Sequence, residues 1–103
     1  MAYKVKITKQ FEDDLDDILT YISQSLHNPS AQKVLLEKVN EVIINIEKFP
    51  FIYPIYHNEI IAQKGYRYAT VKNYLIFYTV NDDTDVITIS RFLYGKQNIT
   101  NLL

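Results

Sequence analysis

The sequence predicts an α+β domain: an N-terminal strand, then an α-helical hairpin packed on one face of an antiparallel sheet, then a short C-terminal tail or helix. Three patterns predict it. Apolar residues recur at spacings of three and four between Phe11 and Phe49, the period of amphipathic helices. From Tyr66 onward, short segments rich in Tyr, Val, Ile, Thr and Phe alternate with polar turns, which suits a pleated, half-buried surface. Between the helical stretches lies only His27-Asn28-Pro29-Ser30, a break that returns the second helix antiparallel to the first.

Each element has its own signal. Tyr3, Val5 and Ile7 alternate with Lys4 and Lys6, as in a strand with one buried face. Thr8 is a candidate N-cap. Phe11, Leu15, Ile18, Leu19, Ile22 and Leu26 form one stripe, placing the first helix at about residues 9 to 26. Asn28 or Ser30 can cap the second helix, and Pro29 suits its first turn. Ala31, Leu35, Val39, Val42, Ile46 and Phe49 mark that helix at about residues 30 to 48. Val34, Leu36, Ile43 and Ile44 widen its stripe, so it is expected to be covered on more than one side. Pro50 ends it. Residues 50–65 read as a packed connection: Phe51, Ile52, Tyr53, Ile55 and Tyr56 are too apolar for a free loop, and Pro54 argues against a central strand. Ile60 to Ala62 is expected as a short edge strand.

The sheet follows as Tyr66 to Val71, Tyr74 to Val80 and Asp85 to Phe92. Lys72-Asn73 reads as a two-residue hairpin turn, with Asn tolerating positive φ, and Asn81-Asp82-Asp83-Thr84 as a second polar turn. With that first turn, Val71 opposes Tyr74, Thr70 opposes Leu75, and Tyr68 opposes Phe77. Opposed residues share a face. One face therefore carries Tyr66, Tyr68, Thr70, Leu75, Phe77 and Thr79. The other carries Arg67, Ala69, Val71, Tyr74, Ile76, Tyr78 and Val80. The helical hairpin buries one face, and the Tyr66–Phe77 face is expected to stay open. The N-terminal strand is expected to join the sheet, because its alternation otherwise has no partner.

At 103 residues, 48% hydrophobic, with two glycines and three prolines, the chain reads as a single domain over residues 1–103 with a real core. It has no cysteine, which excludes disulfides and thiolate chemistry. His27 and His57 are too few for a zinc site, and no metal or cofactor is expected. No targeting segment or membrane-spanning run is evident, so the expectation is a soluble, cytoplasmic protein. A net charge of −1 gives no global attraction to nucleic acid. Glu12, Asp13, Asp14, Asp16 and Asp17 crowd the start of the first helix and read as a solvated face complementing the helix dipole. Lys64, Arg67, Lys72, Arg91 and Lys96 lie in the sheet region.

The run YRYATVKNYLIFYTVNDDTDVITISRFLYGK, from Tyr66 to Lys96, resembles the C-terminal sheet of RelE/ParE-family toxins of bacterial type II toxin–antitoxin operons. The order of strand, two helices, sheet and tail extends the resemblance over nearly the whole chain. It implies a growth-inhibiting toxin of a plasmid-stabilisation module, neutralised by a cognate antitoxin in an oligomeric complex. Ribosome-dependent nucleases of the RelE type use basic residues of the open face and tail to grip and cleave mRNA. The resemblance places those positions here at Tyr68, Thr70, Leu75, Gln97 and Leu103, none of which keeps the required chemistry. Metal-free RNA cleavage needs a base for the 2′-hydroxyl and cations for the developing phosphorane charge. The departures, the Asn73–Tyr78 strand NYLIFY and the Arg91-Phe92-Leu93-Tyr94-Gly95 exit are similar to the ParE-like branch, associated with poisoning DNA gyrase.

Three readings follow: a gyrase inhibitor that is not an enzyme, a ribosome-dependent endoribonuclease acting on mRNA, and an inactive antitoxin-binding relative. If RNA cleavage rests on other residues, the catalytic candidates are Arg67, Arg91, Tyr94 and Lys96, with His57 or Glu59 as base. The alternative for the arginines is pairing with a helix carboxylate or snorkelling at the sheet edge. Antitoxin or target contact is expected at Tyr66, Tyr68, Leu75, Phe77, Arg91 and Tyr94, because an exposed apolar patch calls for a partner.

Overall fold

The computed structural model describes residues 3–103. Strand β1 (Lys4–Ile7) leads into α1 (Lys9–Thr20), which continues as a π-helical turn (Tyr21–Ser25). Then come α2 (Pro29–Lys48), a short α3 (Glu59–Gln63), β2 (Arg67–Val71), β3 (Tyr74–Asn81), β4 (Val86–Tyr94) and a terminal turn of helix, α4 (Ile99–Leu102).

The expected caps form. The Thr8 hydroxyl accepts from the Phe11 N–H at 3.1 Å and donates to the Ser90 carbonyl at 2.8 Å, so one side chain starts α1 and fixes it to β4. The Asn28 side chain accepts from the Ala31 N–H at 3.1 Å, with Pro29 in the first turn of α2. Between them the helix loosens: the Leu26 N–H reaches back to the Tyr21 carbonyl at 3.3 Å, the wider spacing of a π-turn. His27, at φ 50°, ends it.

The sheet has four strands in the order β1-β4-β3-β2. The β2–β3 register is the one expected: Val71 opposes Tyr74, Thr70 opposes Leu75, and Tyr68 opposes Phe77. The positive φ of the hairpin turn falls on Lys72, at 55°, and not on Asn73. In the second turn the Asn81 side chain accepts from the N–H groups of Asp83 and Thr84 at 3.0 and 3.2 Å, and Asp85 takes φ 56°. This delays β4 to Val86. The sheet is mixed and not wholly antiparallel, because β1 runs parallel to β4. The alternation in β1 fixes which side chains face inward, but it carries no information on strand direction.

Both helices of the hairpin pack on one face. Phe11, Ile22, Leu35, Val39 and Ile46 bury against Ala69, Val71, Ile76, Tyr78, Ile87, Ile89 and Phe92. Contrary to the expectation from the sequence, the other face is not open. Phe77, Leu93, Ile61 and Ile99 form a second buried cluster, flanked by Tyr56, Tyr66, Tyr68, Leu75 and Leu103. The connection after α2 and the tail supply this cover. Ile60 to Ala62 belong to α3 and not to an edge strand, because Asn58 accepts from the N–H groups of Ile60 and Ile61 and starts a helix. Gly65, at φ 81°, turns the chain out of α3. The edge contact with β2 is made just upstream: the Tyr68 N–H donates to the Pro54 carbonyl at 3.1 Å and the Tyr56 N–H to the Tyr66 carbonyl at 2.9 Å. Proline can accept but not donate, so it fits this edge.

Tyr78 is fully buried and donates to the Pro50 carbonyl at 2.8 Å, tying β3 to the end of α2. Burial pushes its phenol from 10.0 up to about 12. A folded-state pKa raised above the unfolded one gives a stabilisation fully present below pH 10 and lost as the pH climbs through 12. Two units correspond to roughly 2–3 kcal/mol. Urea melts across that window should show this loss in the parent, and the Tyr78→Phe variant should lack that component. At neutral pH the same variant should be about 1–2 kcal/mol less stable, because the Pro50 carbonyl loses its donor.

Candidate functional site

The candidate site lies around the second face of the sheet and the exit of β4. Pairing of β1 with β4 stops at Ile7 and Ile89. Beyond it, α1 completes the β4 edge with side chains. Thr8 satisfies the Ser90 carbonyl, and the Asp14 carboxylate accepts from the Phe92 N–H at 3.0 Å. The same carboxylate takes Arg91 in a two-pronged grip, Nε at 2.7 Å and Nη2 at 3.0 Å. Arg91 Nη1 donates to the Leu102 carbonyl at 2.8 Å. Arg91 therefore joins α1, β4 and α4, and both side chains of the pair are largely withdrawn from solvent, at 23% and 16% exposure. Its bonds to Asp14 hold the guanidinium pKa above its ordinary value.

Arg67 is also engaged inside the fold. Its Nη1 donates to the Tyr53 carbonyl at 2.8 Å, and its guanidinium lies 4.9 Å from the centre of the Phe51 ring, within cation–π range. Of the four catalytic candidates, only Tyr94 and Lys96 are exposed. Tyr94 ends β4 and Lys96 follows it, where the chain meets the β2–β3 turn. The Gly95 N–H donates to the Asn73 carbonyl at 2.8 Å, and a Cβ on Gly95 would lie 3.3 Å from that oxygen, a close approach that suits glycine.

Tyr68, Thr70 and Leu75 lie together on the second face. Phe77, at the centre of this face, is fully buried, so it supports the surface and is not itself presented to a partner. Tyr56 meets Tyr68 and Phe77 edge-on at 5.1 Å each, and His57 lies against Tyr56 at 4.4 Å. His57 and Glu59, the two candidate bases, line a cavity of about 510 Å³ together with Gln97, Asn98 and Thr100 at the start of α4. Among the described residues no three His, Cys, Asp or Glu side chains gather as a metal site, and no helix is long and apolar enough to cross a membrane.

Asp14 does not belong to a solvated acidic face, as its place in the sequence suggested, but is the internal partner of Arg91. The signal was present. Asp14 is three residues after Phe11 and four before Ile18, so it lies on the apolar stripe and points toward the sheet. An acid on a buried stripe calls for a cation, and Arg91 supplies it.

An N-terminal strand, a helical hairpin on one face of a small mixed sheet and a short C-terminal helix match the architecture of RelE/ParE-type toxins. The family model described as the ParE toxin of the type II toxin–antitoxin system parDE matches residues 5–99. The chain belongs to this family, and it is a toxin of a type II toxin–antitoxin system. Solved structures share the fold. A chain of the chromosomal ParDE system of P. aeruginosa is 18% identical, with a TM-score of 0.72 over 91% of this chain and 97% of that one. A chain of the RelBE2 toxin–antitoxin complex of Mycobacterium tuberculosis is 18% identical, with a TM-score of 0.61 over 91% and 99%. YafQ of E. coli is 20% identical, with a TM-score of 0.53 over 89% and 92%. The comparison with curated protein sequences returned no match.

Proposed function

We propose that this toxin arrests growth by binding a protein target, DNA gyrase, and that a cognate antitoxin neutralises it. One observation carries the choice of target: the face on which RelE-type nucleases mount their cations bears Tyr68, Thr70 and Leu75, and both sheet arginines are committed to contacts within the fold. A surface of tyrosine and leucine suits contact with protein better than stabilisation of a phosphorane. Tyr66, Tyr68 and Leu75 are its accessible contact residues, whereas Tyr94, opposed to Tyr74, lies on the helix-covered side of the sheet.

The antitoxin reading is supported by α2, where Ile44 lies opposite the buried stripe and Val34 and Leu36 stay exposed on its two flanks. The sequence marked this helix for cover on more than one side, and among the described residues no element covers these three. An antitoxin segment that folds on binding would bury those residues and take up its ordering cost at that moment.

Expression of the chain alone should halt growth and induce a DNA-damage response, and co-expression with the antitoxin should relieve both. The purified toxin should inhibit gyrase supercoiling or trap gyrase–DNA cleavage complexes. Primer extension on translated mRNA should show no codon-phased cuts. The second reading, an RNase built on other residues, is favoured by the cavity that brings His57 and Glu59 together. Strong codon-phased cuts that disappear in His57→Ala or Lys96→Ala would replace the gyrase reading with that one.

A further inference from the structure

Between the π-turn and the β2–β3 hairpin lies a second cavity, of about 520 Å³, lined by Asp17, Ile18, Tyr21, Leu26, Asn73, Tyr74 and Tyr94. Tyr74 and Tyr94 are directly opposed on β3 and β4, with ring centres 5.9 Å apart and planes at 60°. Tyr74 is fixed from beneath by Phe92, at 5.3 Å. Tyr21 stands at the head of the π-turn and is 54% exposed, with Leu26 at its end and 55% exposed. Widened turns of this kind recur where a helix re-aims side chains for a purpose.

Two features of this cavity lack partners. Among the described residues the Tyr21, Tyr74 and Tyr94 hydroxyls make no side-chain hydrogen bond, and Asp17 makes no ion pair. Lys9 pairs with Asp13 and Arg91 with Asp14; of the α1 acids without an ion pair among the described residues, Glu12, Asp16 and Asp17, Asp17 is the one that lines the cavity. The cavity thus combines aromatic ring faces, three acceptor oxygens and one unmatched carboxylate, with no cation among its lining residues. The Tyr74 phenol is held above its ordinary pKa by burial first and then by the nearby Tyr21 and Tyr94 phenols, which places the three hydroxyls in one neighbourhood.

We propose that this cavity is a receptor for an arginine side chain presented by a protein partner. A guanidinium offers a planar face to tyrosine rings and a fork of donors to the phenols and to Asp17. Its aliphatic stem can lie along Ile18 and Leu26. Chain-borne arginine presents the same guanidinium without the strongly hydrated α-ammonium and α-carboxylate of the free amino acid, whose desolvation beside the tyrosine rings would oppose binding. The inference does not depend on which cellular target the toxin poisons.

The test is a titration of tyrosine-labelled protein with blocked arginine, N-acetyl-arginine amide, followed by the ring resonances. Saturable shifts confined to Tyr21, Tyr74 and Tyr94 are expected. N-acetyl-citrulline amide, of the same shape without the charge, should bind at least about fivefold more weakly, as should blocked arginine to Asp17→Asn, the scale of an exposed ion pair or cation–π contact. Asp17 is exposed, so that variant folds, and unchanged resonances elsewhere verify it. Equal binding of citrulline, absence of saturable shifts, or an affinity untouched by Asp17→Asn would overturn the proposal. Tighter binding of free than of blocked arginine would replace the protein partner with a small molecule and overturn it equally.

Discussion

Phe77→Asp is expected to abolish the fold. Phe77 has no exposure and lies between Tyr56, at 5.1 Å, and Tyr66, at 6.4 Å, at the centre of the second cluster. Removing a buried phenylalanine costs about 3–5 kcal/mol, and a carboxylate left there without a partner adds several more. Domains of this size hold roughly 5–15 kcal/mol in total. The variant should show no cooperative urea transition and no native near-ultraviolet dichroism. Leu75→Asp, on the same face but half-buried, should remain folded with a lower midpoint. That pair separates core from contact surface: a drop in antitoxin or gyrase affinity in folded Leu75→Asp reports on the surface itself. A Phe77→Asp protein with a near-native midpoint would mean that α3 and α4 do not cover this face in solution.

The fate of that face shows what the sequence could carry. Period-2 alternation and a two-residue turn fixed the β2–β3 register, so the residues sharing each face could be named in advance. The helices were legible through stripes and caps, including Thr8 and Asn28. What covers the second face was not legible, because it comes from pieces too short to show a period. Helix α3 spans Glu59–Gln63 and α4 spans Ile99–Leu102, each about one turn, and neither displays a stripe. The direction of β1 was equally hidden, since a short strand alternates in the same way whether it runs parallel or antiparallel. At the site, the arginines were visible as candidates but their engagement was not. Asp14 lies 77 residues from Arg91 in sequence, and only the fold brings them together.

Breaking that pair is the second large effect. Arg91→Ala would leave Asp14 largely withdrawn from solvent with only the Phe92 N–H as partner, and it would free the Leu102 carbonyl that holds α4 in place. Loss of one member of a buried pair costs about 3–5 kcal/mol, and the residual exposure of this one lowers the expectation to roughly 2–4 kcal/mol. Asp14→Ala should cost a similar amount, because it leaves the guanidinium with the Leu102 carbonyl alone and strands the Phe92 amide. The double variant should lose clearly less than the sum, and that coupling, measured by urea unfolding, is the signature of a direct pair. Arg91→Lys should recover less than half of the loss, since an ammonium cannot bridge both carboxylate oxygens and reach Leu102 at once. Additive losses would show that Arg91 and Asp14 act separately, which would free Arg91 for a target or substrate. With strong coupling, a loss of toxicity in Arg91→Ala reports the detachment of α1 and α4 from β4. Assigning it to catalysis would then require the variant to be as folded as the parent under the conditions of the assay.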